Sequence, residues 1–224
     1  MLWTPAQRGA ELIAWFRSDL GVSIVGSGVA TWADQSGNAR DVTQGTDPNR
    51  PGWSASDALF AGLPALTWAG AQWLDGAAWN LTQPFTIYVV GQSGSYADWR
   101  TFFDCPSGAR SAIRAEPANL LATYAGVANV TSSSIASPSI FATVFSGASS
   151  AHYVNSLTAS GTSSPGGDGI GTPRVGAGPG GGYTLQSTSR LCEIVVASGA
   201  DSAAQREQMF RYLNRRYAIA VAGL

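Results

Sequence analysis

Short segments in which apolar side chains recur at every second position constrain this sequence more than any other feature. The clearest are residues 85–90, 139–146 and 191–197, which are rich in β-branched and aromatic residues and bounded by turn residues. Shorter candidate strands are residues 12–17, 29–33, 65–68, 101–104, 112–114, 120–124, 151–154 and 174–176. Many short strands without intervening helical patterns predict an all-β fold, a two-sheet antiparallel sandwich. Strands that are apolar on both faces are expected at its centre, and residues 151–154 nearer an edge.

One helical pattern stands out, at residues 203–217. Ser202 and Gln205 have the spacing of a capping box, in which each side chain satisfies a backbone N–H of the other residue. Phe210 and Leu213 then recur at helical spacing. We therefore expect an amphipathic helix docked on the sandwich, within a single domain of residues 1–224.

The composition excludes several functional classes. Charged residues make up only 12% of the chain and the net charge is −1, which does not favour nucleic-acid binding. There is no lysine, so neither a Walker A loop nor Schiff-base chemistry is available. One histidine and two cysteines are too few for a structural zinc site. No cofactor, metal or membrane span is predicted, and the N-terminus does not read as a signal peptide, so we expect synthesis in a cytoplasm.

Two further features have a structural and a functional interpretation. Asp34 and Asn38 flank a Ser-Gly pair, which indicates a turn held by side-chain hydrogen bonds. With Asp41 they could also contribute to a calcium site, although three residues supply too few oxygens. Cys105 and Cys192 are expected to be free thiols, with a disulfide as the alternative.

Several motifs occur in an order that resembles a known family. They are Leu12-Ile-Ala-Trp15-Phe, Trp32-Ala-Asp34-Gln-Ser36-Gly37-Asn38, Gly62-Leu-Pro64-Ala65-Leu66-Thr-Trp68, Pro84-Phe85-Thr86-Ile87-Tyr88-Val89-Val90, and Glu193-Ile194 followed by the helix. Together they resemble the concanavalin A-like (laminin G-like) jelly-roll modules of tailed-phage virion proteins and some bacterial surface proteins. Ala39 stands where the family usually has Gly, and Asp201-Ser202 replaces its Leu-Ser helix start.

The resemblance implies a structural protein on the virion exterior, as a head decoration or as part of a tail fibre or spike. Its expected partners are other virion proteins, further copies of itself and host-surface glycans. The alternatives are a glycan-degrading lyase or hydrolase on the same fold, and a bacterial surface carbohydrate-binding module.

No catalytic residue is predicted, and the expectation is that the chain is not an enzyme. Sandwich glycanases carry two carboxylates on one strand, yet no Glu of this chain has an Asp or Glu within four positions. His152 could act as a general base, but its strand context favours a surface or hydrogen-bonded role.

Sugar binding requires exposed aromatic rings and a few polar groups. The aromatic residues in the predicted loops are the candidates for carbohydrate binding: Trp79, Tyr96, Trp99 and Tyr183. Trp15, Trp32 and Trp68 are instead expected in the core.

Overall fold

The computed structural model describes residues 2–94, 99–135, 137–182, 184–185 and 188–224, and these form mostly strands. The strands are β1 (Leu12–Arg17), β2 (Val22–Val25), β3 (Gly28–Trp32), β4 (Val42–Thr43), β5 (Gly52–Asp57), β6 (Leu63–Thr67), β7 (Leu74–Gly76), β8 (Phe85–Gln92), β9 (Arg100–Ser107), β10 (Ala112–Glu116), β11 (Leu120–Tyr124), β12 (Ala128–Ser134), β13 (Ser139–Phe145), β14 (Ser150–Val154), β15 (Gly161–Ser163), β16 (Thr172–Val175) and β17 (Arg190–Ser198). The α-helix α1 covers Ala203–Tyr217. Short 3-10 helices cover Pro5–Glu11, Asp47–Asn49, Ala58–Phe60, Pro117–Asn119 and Pro179–Gly181.

The strands pair into two antiparallel sheets. The first sheet has the order β15-β14-β13-β8-β17-β6-β5, and β1 also pairs with β17. The second has the order β12-β11-β10-β9-β16-β7-β4-β3-β2. The predicted two-sheet antiparallel sandwich with a C-terminal helix is therefore confirmed.

The strand positions follow the sequence pattern where both faces are apolar. The strands β13, β8 and β17 contain the three clearest predicted segments, and they lie side by side in the middle of the first sheet. The strand β14 lies next to the edge strand β15, as expected for residues 151–154. The sequence did not predict β2, β4, β5, β7, β12 and β15. Of these, β2 and β5 contain no fully buried residue, and each turns only one partly buried apolar side chain, Val22 or Trp53, to the core.

The main core fills the space between the sheets. Side chains alternate along a strand, so Ile87 and Val89 of β8 point into this core together with Phe141 of β13. The ring of Phe141 meets that of Phe102, from β9 of the other sheet, edge to face with centroids 5.1 Å apart. Trp32 is fully buried in the same core, and its Nε1 donates to the Arg17 carbonyl at 2.7 Å.

The helix α1 covers the opposite face of the first sheet. The capping box is present, since the Ser202 hydroxyl accepts from the Gln205 amide and the Gln205 side chain accepts from the Ser202 amide. Phe210 and Leu213 are fully buried against the outer residues of β8, and the Phe210 ring meets that of Tyr88 edge to face. The predicted helix at 203–217 is confirmed. Within the described ranges, no helix is long and apolar enough to cross a membrane.

A buried carboxylate joins the helix to the sheet. Glu193 of β17 accepts hydrogen bonds from Trp15 Nε1 at 2.6 Å, from the Tyr212 hydroxyl at 2.9 Å and from the Tyr217 hydroxyl at 2.7 Å. Burial raises the pKa of Glu193, whereas these donors and the Arg216 guanidinium at 3.3 Å lower it. The polar capacity of Glu193 is thus used inside the protein, which makes it a structural residue.

Candidate functional site

The outward face of the second sheet carries a group of charged and aromatic side chains. Along β10, Ile113 and Ala115 belong to the core, so Arg114 and Glu116 point to the opposite side. The helix α1 packs on the first sheet, so it does not cover this side of the second sheet. We call this surface the open face, and its defining residues are Trp73, Asp75, Trp99, Asp104, Arg110, Arg114, Glu116, Tyr124 and Arg174.

Two bidentate ion pairs lie at the centre of the open face. Arg174 of β16 is the register partner of both Asp75 and Asp104 on the neighbouring strands. It donates from Nε and Nη2 to the two carboxylate oxygens of Asp75, at 2.5 and 3.0 Å. Arg110 donates from the same two nitrogens to Asp104, at 2.9 and 2.8 Å. Such paired bonds fix the orientation of each guanidinium.

Each arginine of the open face also lies over an aromatic ring. The distances from guanidinium carbon to ring centroid are 5.1 Å for Arg174 and Trp73, 4.6 Å for Arg110 and Tyr124, and 3.7 Å for Arg114 and Trp99. All three rings are partly exposed. The open face therefore combines ring surfaces with charged groups held in fixed positions, the combination that recognises the apolar faces and hydroxyls of sugars.

Arg114 and Glu116 differ from the other two pairs. Arg114 is only 2% exposed, yet its Nε and Nη2 atoms have no hydrogen-bond partner. Its Nε forms an ion pair with Glu116 Oε1 at 3.6 Å, too long for a hydrogen bond, and this oxygen also has no hydrogen-bond partner. Burial lowers the pKa of Arg114 and raises that of Glu116, because desolvation disfavours the charged form of each. Both groups therefore retain hydrogen-bonding capacity.

Of the four predicted sugar-binding aromatics, the structure places Trp99 on the open face. Trp79 instead lies in the core, where its ring stacks on Phe16 at 6.4 Å and contacts Phe103 at 5.9 Å. A stacking platform needs an exposed ring face, so this packing corrects the role predicted for Trp79. Tyr96 and Tyr183 lie outside the described residues. The core positions expected for three other tryptophans are confirmed: Trp15, Trp32 and Trp68.

His152 is a buried strand residue between the two sheets. Its Nδ1 lies 3.3 Å from the Thr143 hydroxyl and its Nε2 lies 3.5 Å from the Thr123 hydroxyl. Burial lowers its pKa to about 4, so the imidazole is neutral near pH 7. The hydrogen-bonded interpretation is confirmed, whereas a surface position for His152 is wrong.

The turn at Asp34 holds the start of the chain in place. Asp34 Oδ1 accepts from the amides of Trp15 and Ser36 at 2.8 and 2.9 Å, and its Oδ2 accepts from the Arg40 amide at 3.1 Å. Asn38 Nδ2 donates to the Leu12 carbonyl of β1 at 2.8 Å. The side chains that could have bound calcium therefore hold backbone groups, which agrees with the structural interpretation.

Among the described residues, no group of three or more His, Cys, Asp or Glu side chains is placed to hold a metal ion. The two cysteines, Cys105 and Cys192, are buried free thiols. Burial raises the pKa of Cys105 to about 12, so this thiol stays protonated and unreactive.

Comparison with known proteins finds likeness in structure rather than in sequence. No protein-family model and no curated protein matches the chain. Among solved structures, the sialidase of Trypanosoma rangeli in complex with sialic acid has a TM-score of 0.60 at 11% identity. The match covers 92% of this chain and 33% of the sialidase, so this chain spans about a third of that enzyme.

Two arabinan-related structures are similar to the same degree. Domain 4 of AbnA, a GH43 extracellular arabinanase from Geobacillus stearothermophilus solved with arabinotriose, has a TM-score of 0.62 at 12% identity. That match covers 91% of this chain and 98% of the domain. A GH54 α-L-arabinofuranosidase has a TM-score of 0.58 at 14% identity, with 87% of this chain and 52% of that protein covered. At these identities the likeness shows the fold.

These neighbours overturn the expectation that the chain is not an enzyme. That expectation was based on a missing pair of carboxylates on one strand. Such a pair is a feature of one group of sandwich glycanases only. The named neighbours are a sialidase, an arabinofuranosidase and a domain of an arabinanase, so the same fold occurs in glycan-cleaving enzymes that the argument did not consider. The fold of this chain is therefore one found in carbohydrate-active proteins.

Proposed function

We propose that this chain binds glycans through the open face. The observation that carries this proposal is the assembly of Trp99, Arg114 and Glu116 on the side of the second sheet that faces away from the core, with unused hydrogen-bonding atoms on the two charged groups. A partly exposed indole offers apolar surface to a pyranose ring, and the two charged groups can pair with its hydroxyls.

The comparison with the arabinanase domain supports the proposal. That domain is about the size of this chain, since the match covers nearly all of both, and its structure was solved with arabinotriose. A domain of this fold and size has thus been observed with an oligosaccharide.

The experiment is a glycan array followed by isothermal titration, with wild type beside Trp99→Ala and Trp99→Phe. We expect Trp99→Ala to weaken binding by up to about tenfold, since stacking on one aromatic ring contributes about 0.5–1.5 kcal/mol. Trp99→Phe should restore part of the affinity. Trp3→Ala is the matched control, because Trp3 is also partly exposed but contacts Tyr212 of α1. Equal losses for Trp3→Ala and Trp99→Ala, or no binding by wild type, would contradict the proposal.

A second candidate function is glycoside hydrolysis on the same face. Glycosidases use one carboxyl group with a raised pKa as the acid and a second, ionised carboxylate as nucleophile or base. Burial raises the pKa of Glu116, which suits this carboxyl group to the role of the acid. In this candidate, Glu116 gives its proton to the glycosidic oxygen as the bond to the anomeric carbon breaks, and the water that attacks this carbon releases its proton to solvent.

Release of reducing ends from bound glycans tests this candidate. We expect Glu116→Gln to remove at least about 99% of any activity while binding persists. The matched control is Glu207→Gln, since Glu207 is an exposed residue of α1 paired with Arg211. Binding without product release by wild type would leave glycan recognition as the function.

The location on a tailed-phage virion is also our proposal, and the ordered motifs from Trp32 to Glu193 support it. In that setting the open face would meet host-surface glycans, and other virion subunits or further copies of the chain would be its partners. Mass spectrometry of purified particles and light scattering of the isolated protein test it. Absence from particles together with a monomer in solution would contradict it.

A further inference from the structure

The three arginines of the open face each lie over an aromatic ring, but they differ in their hydrogen-bond partners. In Arg174 and Arg110, the edge formed by Nε and Nη2 holds both oxygens of a carboxylate. In Arg114 the same edge has no hydrogen-bond partner, although the residue is the most deeply buried of the three. Two of the three guanidinium groups thus bind both oxygens of a carboxylate through this edge, and Arg114 does not.

Leaving this edge unoccupied is costly. A buried charged donor without a partner loses its hydration without compensation. The nearest acid, Glu116, is 3.6 Å from Nε and forms no hydrogen bond with Arg114. Burial also favours the neutral form of Glu116, which leaves the positive charge of Arg114 less well compensated.

We propose that Arg114 binds the anionic group of an acidic sugar, so that the glycans recognised by the open face carry carboxylates. This inference rests on the proposed function and specifies its ligand class. A carboxylate matches the two parallel N–H groups of a guanidinium edge, as Asp75 and Asp104 already do on this face. The Oε1 atom of Glu116 then accepts from an adjacent hydroxyl of the same sugar.

The approach to Arg114 involves Trp99. The indole lies over the guanidinium at 3.7 Å, and the Nε and Nη2 atoms are closed to solvent. The Trp99 ring therefore has to shift from the guanidinium to the incoming acidic sugar, on which it then stacks. Stacking on Trp99 and Tyr124 holds the Arg114 side chain in this position even without a ligand.

The experiment compares matched ligands on one array. Each neutral oligosaccharide is paired with its uronic-acid, sialylated and sulfated counterparts, and binding is measured at about 0.15 M and about 1 M salt. The variants are Arg114→Gln, which removes the charge, and Arg114→Lys, which keeps the charge but loses the two-nitrogen edge. Arg211→Gln is the control, since Arg211 is exposed on α1.

We expect wild type to bind the carboxylated members about tenfold or more tightly than their neutral partners. Arg114→Gln should abolish this preference, and the control Arg211→Gln should keep it. Arg114→Lys should keep only a small part of the preference. Equal binding of acidic and neutral members by wild type, or a preference that survives Arg114→Gln, overturns this inference and leaves glycan binding intact. A preference for sulfated members alone overturns the carboxylate assignment. No binding of any member overturns the proposed function as well.

Discussion

Acidification should destabilise this protein through one residue, His152. The chain contains a single histidine, and it is fully buried between the two sheets beside Thr123 and Thr143. Desolvation by burial lowers the pKa of His152, because protonation would place a charge inside the protein. The folded state therefore resists a proton that the unfolded chain accepts readily.

The magnitude follows from the two pKa values. Burial lowers the pKa of His152 from an ordinary 6.5 to about 4. Between these values the unfolded chain binds more protons than the folded one, so stability falls as the pH falls. At about 1.36 kcal/mol for each pH unit, the loss reaches about 3 kcal/mol near pH 4, and it is almost absent above pH 7.

The assay is urea unfolding of wild type and His152→Gln at several values between pH 4 and 7.5. Raised carboxyl pKa values, such as those of Glu116 and Glu193, act in the opposite direction over part of this range, but they are common to both proteins and cancel in the difference. We expect the difference in unfolding free energy to change by about 3 kcal/mol in favour of the variant as the pH falls from 7.5 to 4. Parallel pH profiles for the two proteins would refute the reasoning.

Two further predictions concern stability. Leu213→Ala should lower the unfolding free energy by about 2–4 kcal/mol, because a fully buried side chain is lost from the interface of α1 with the sheet. Arg211 is more than half exposed, so Arg211→Ala should change the unfolding free energy by no more than about 0.5 kcal/mol. Equal shifts in melting temperature for the two variants would show that α1 adds little to the core. Asp34→Ala should lower the unfolding free energy by about 2 kcal/mol in chemical denaturation, because the amides of Trp15, Ser36 and Arg40 lose their acceptor. Asp41→Ala removes the acceptor of one amide and should lower it less, so the reverse order would contradict the role of the turn.

The fold could be predicted because its central elements satisfy local and tertiary preferences at once. The strand β8 is apolar on both faces, since one side meets the other sheet and the other side meets α1. The helix begins at Ser202 through contacts within four residues, which a sequence displays directly. In contrast, β2 pairs with β3 while Ile24 and Val25 stay exposed, so the apolar residues of this four-residue strand do not mark a buried face.

The site was harder to predict because its members come from separate strands. The sequence showed the indole of Trp99 but not its partner, since Arg114 is brought beneath it only by the pairing of β9 with β10. One signal was present: β10 reads Ala-Ile-Arg-Ala-Glu, in which two charges alternate with apolar residues. Trp79 shows the opposite difficulty, because a tryptophan between two strands resembles a loop residue until the core is assembled around it.

The two sheets differ in how fully their buried polar groups are used inside the protein. Glu193, on the sheet covered by α1, accepts three hydrogen bonds and has an arginine beside it, so its removal would leave donors unpaired and destabilise the fold. Arg114 and Glu116, on the open face, have unpaired atoms that a ligand would satisfy. Replacing Arg114 by glutamine removes a poorly compensated buried charge together with its stacking on Trp99 and Tyr124, so the net change in stability should be small. Loss of glycan binding without loss of stability therefore distinguishes a ligand-binding arginine from a structural one.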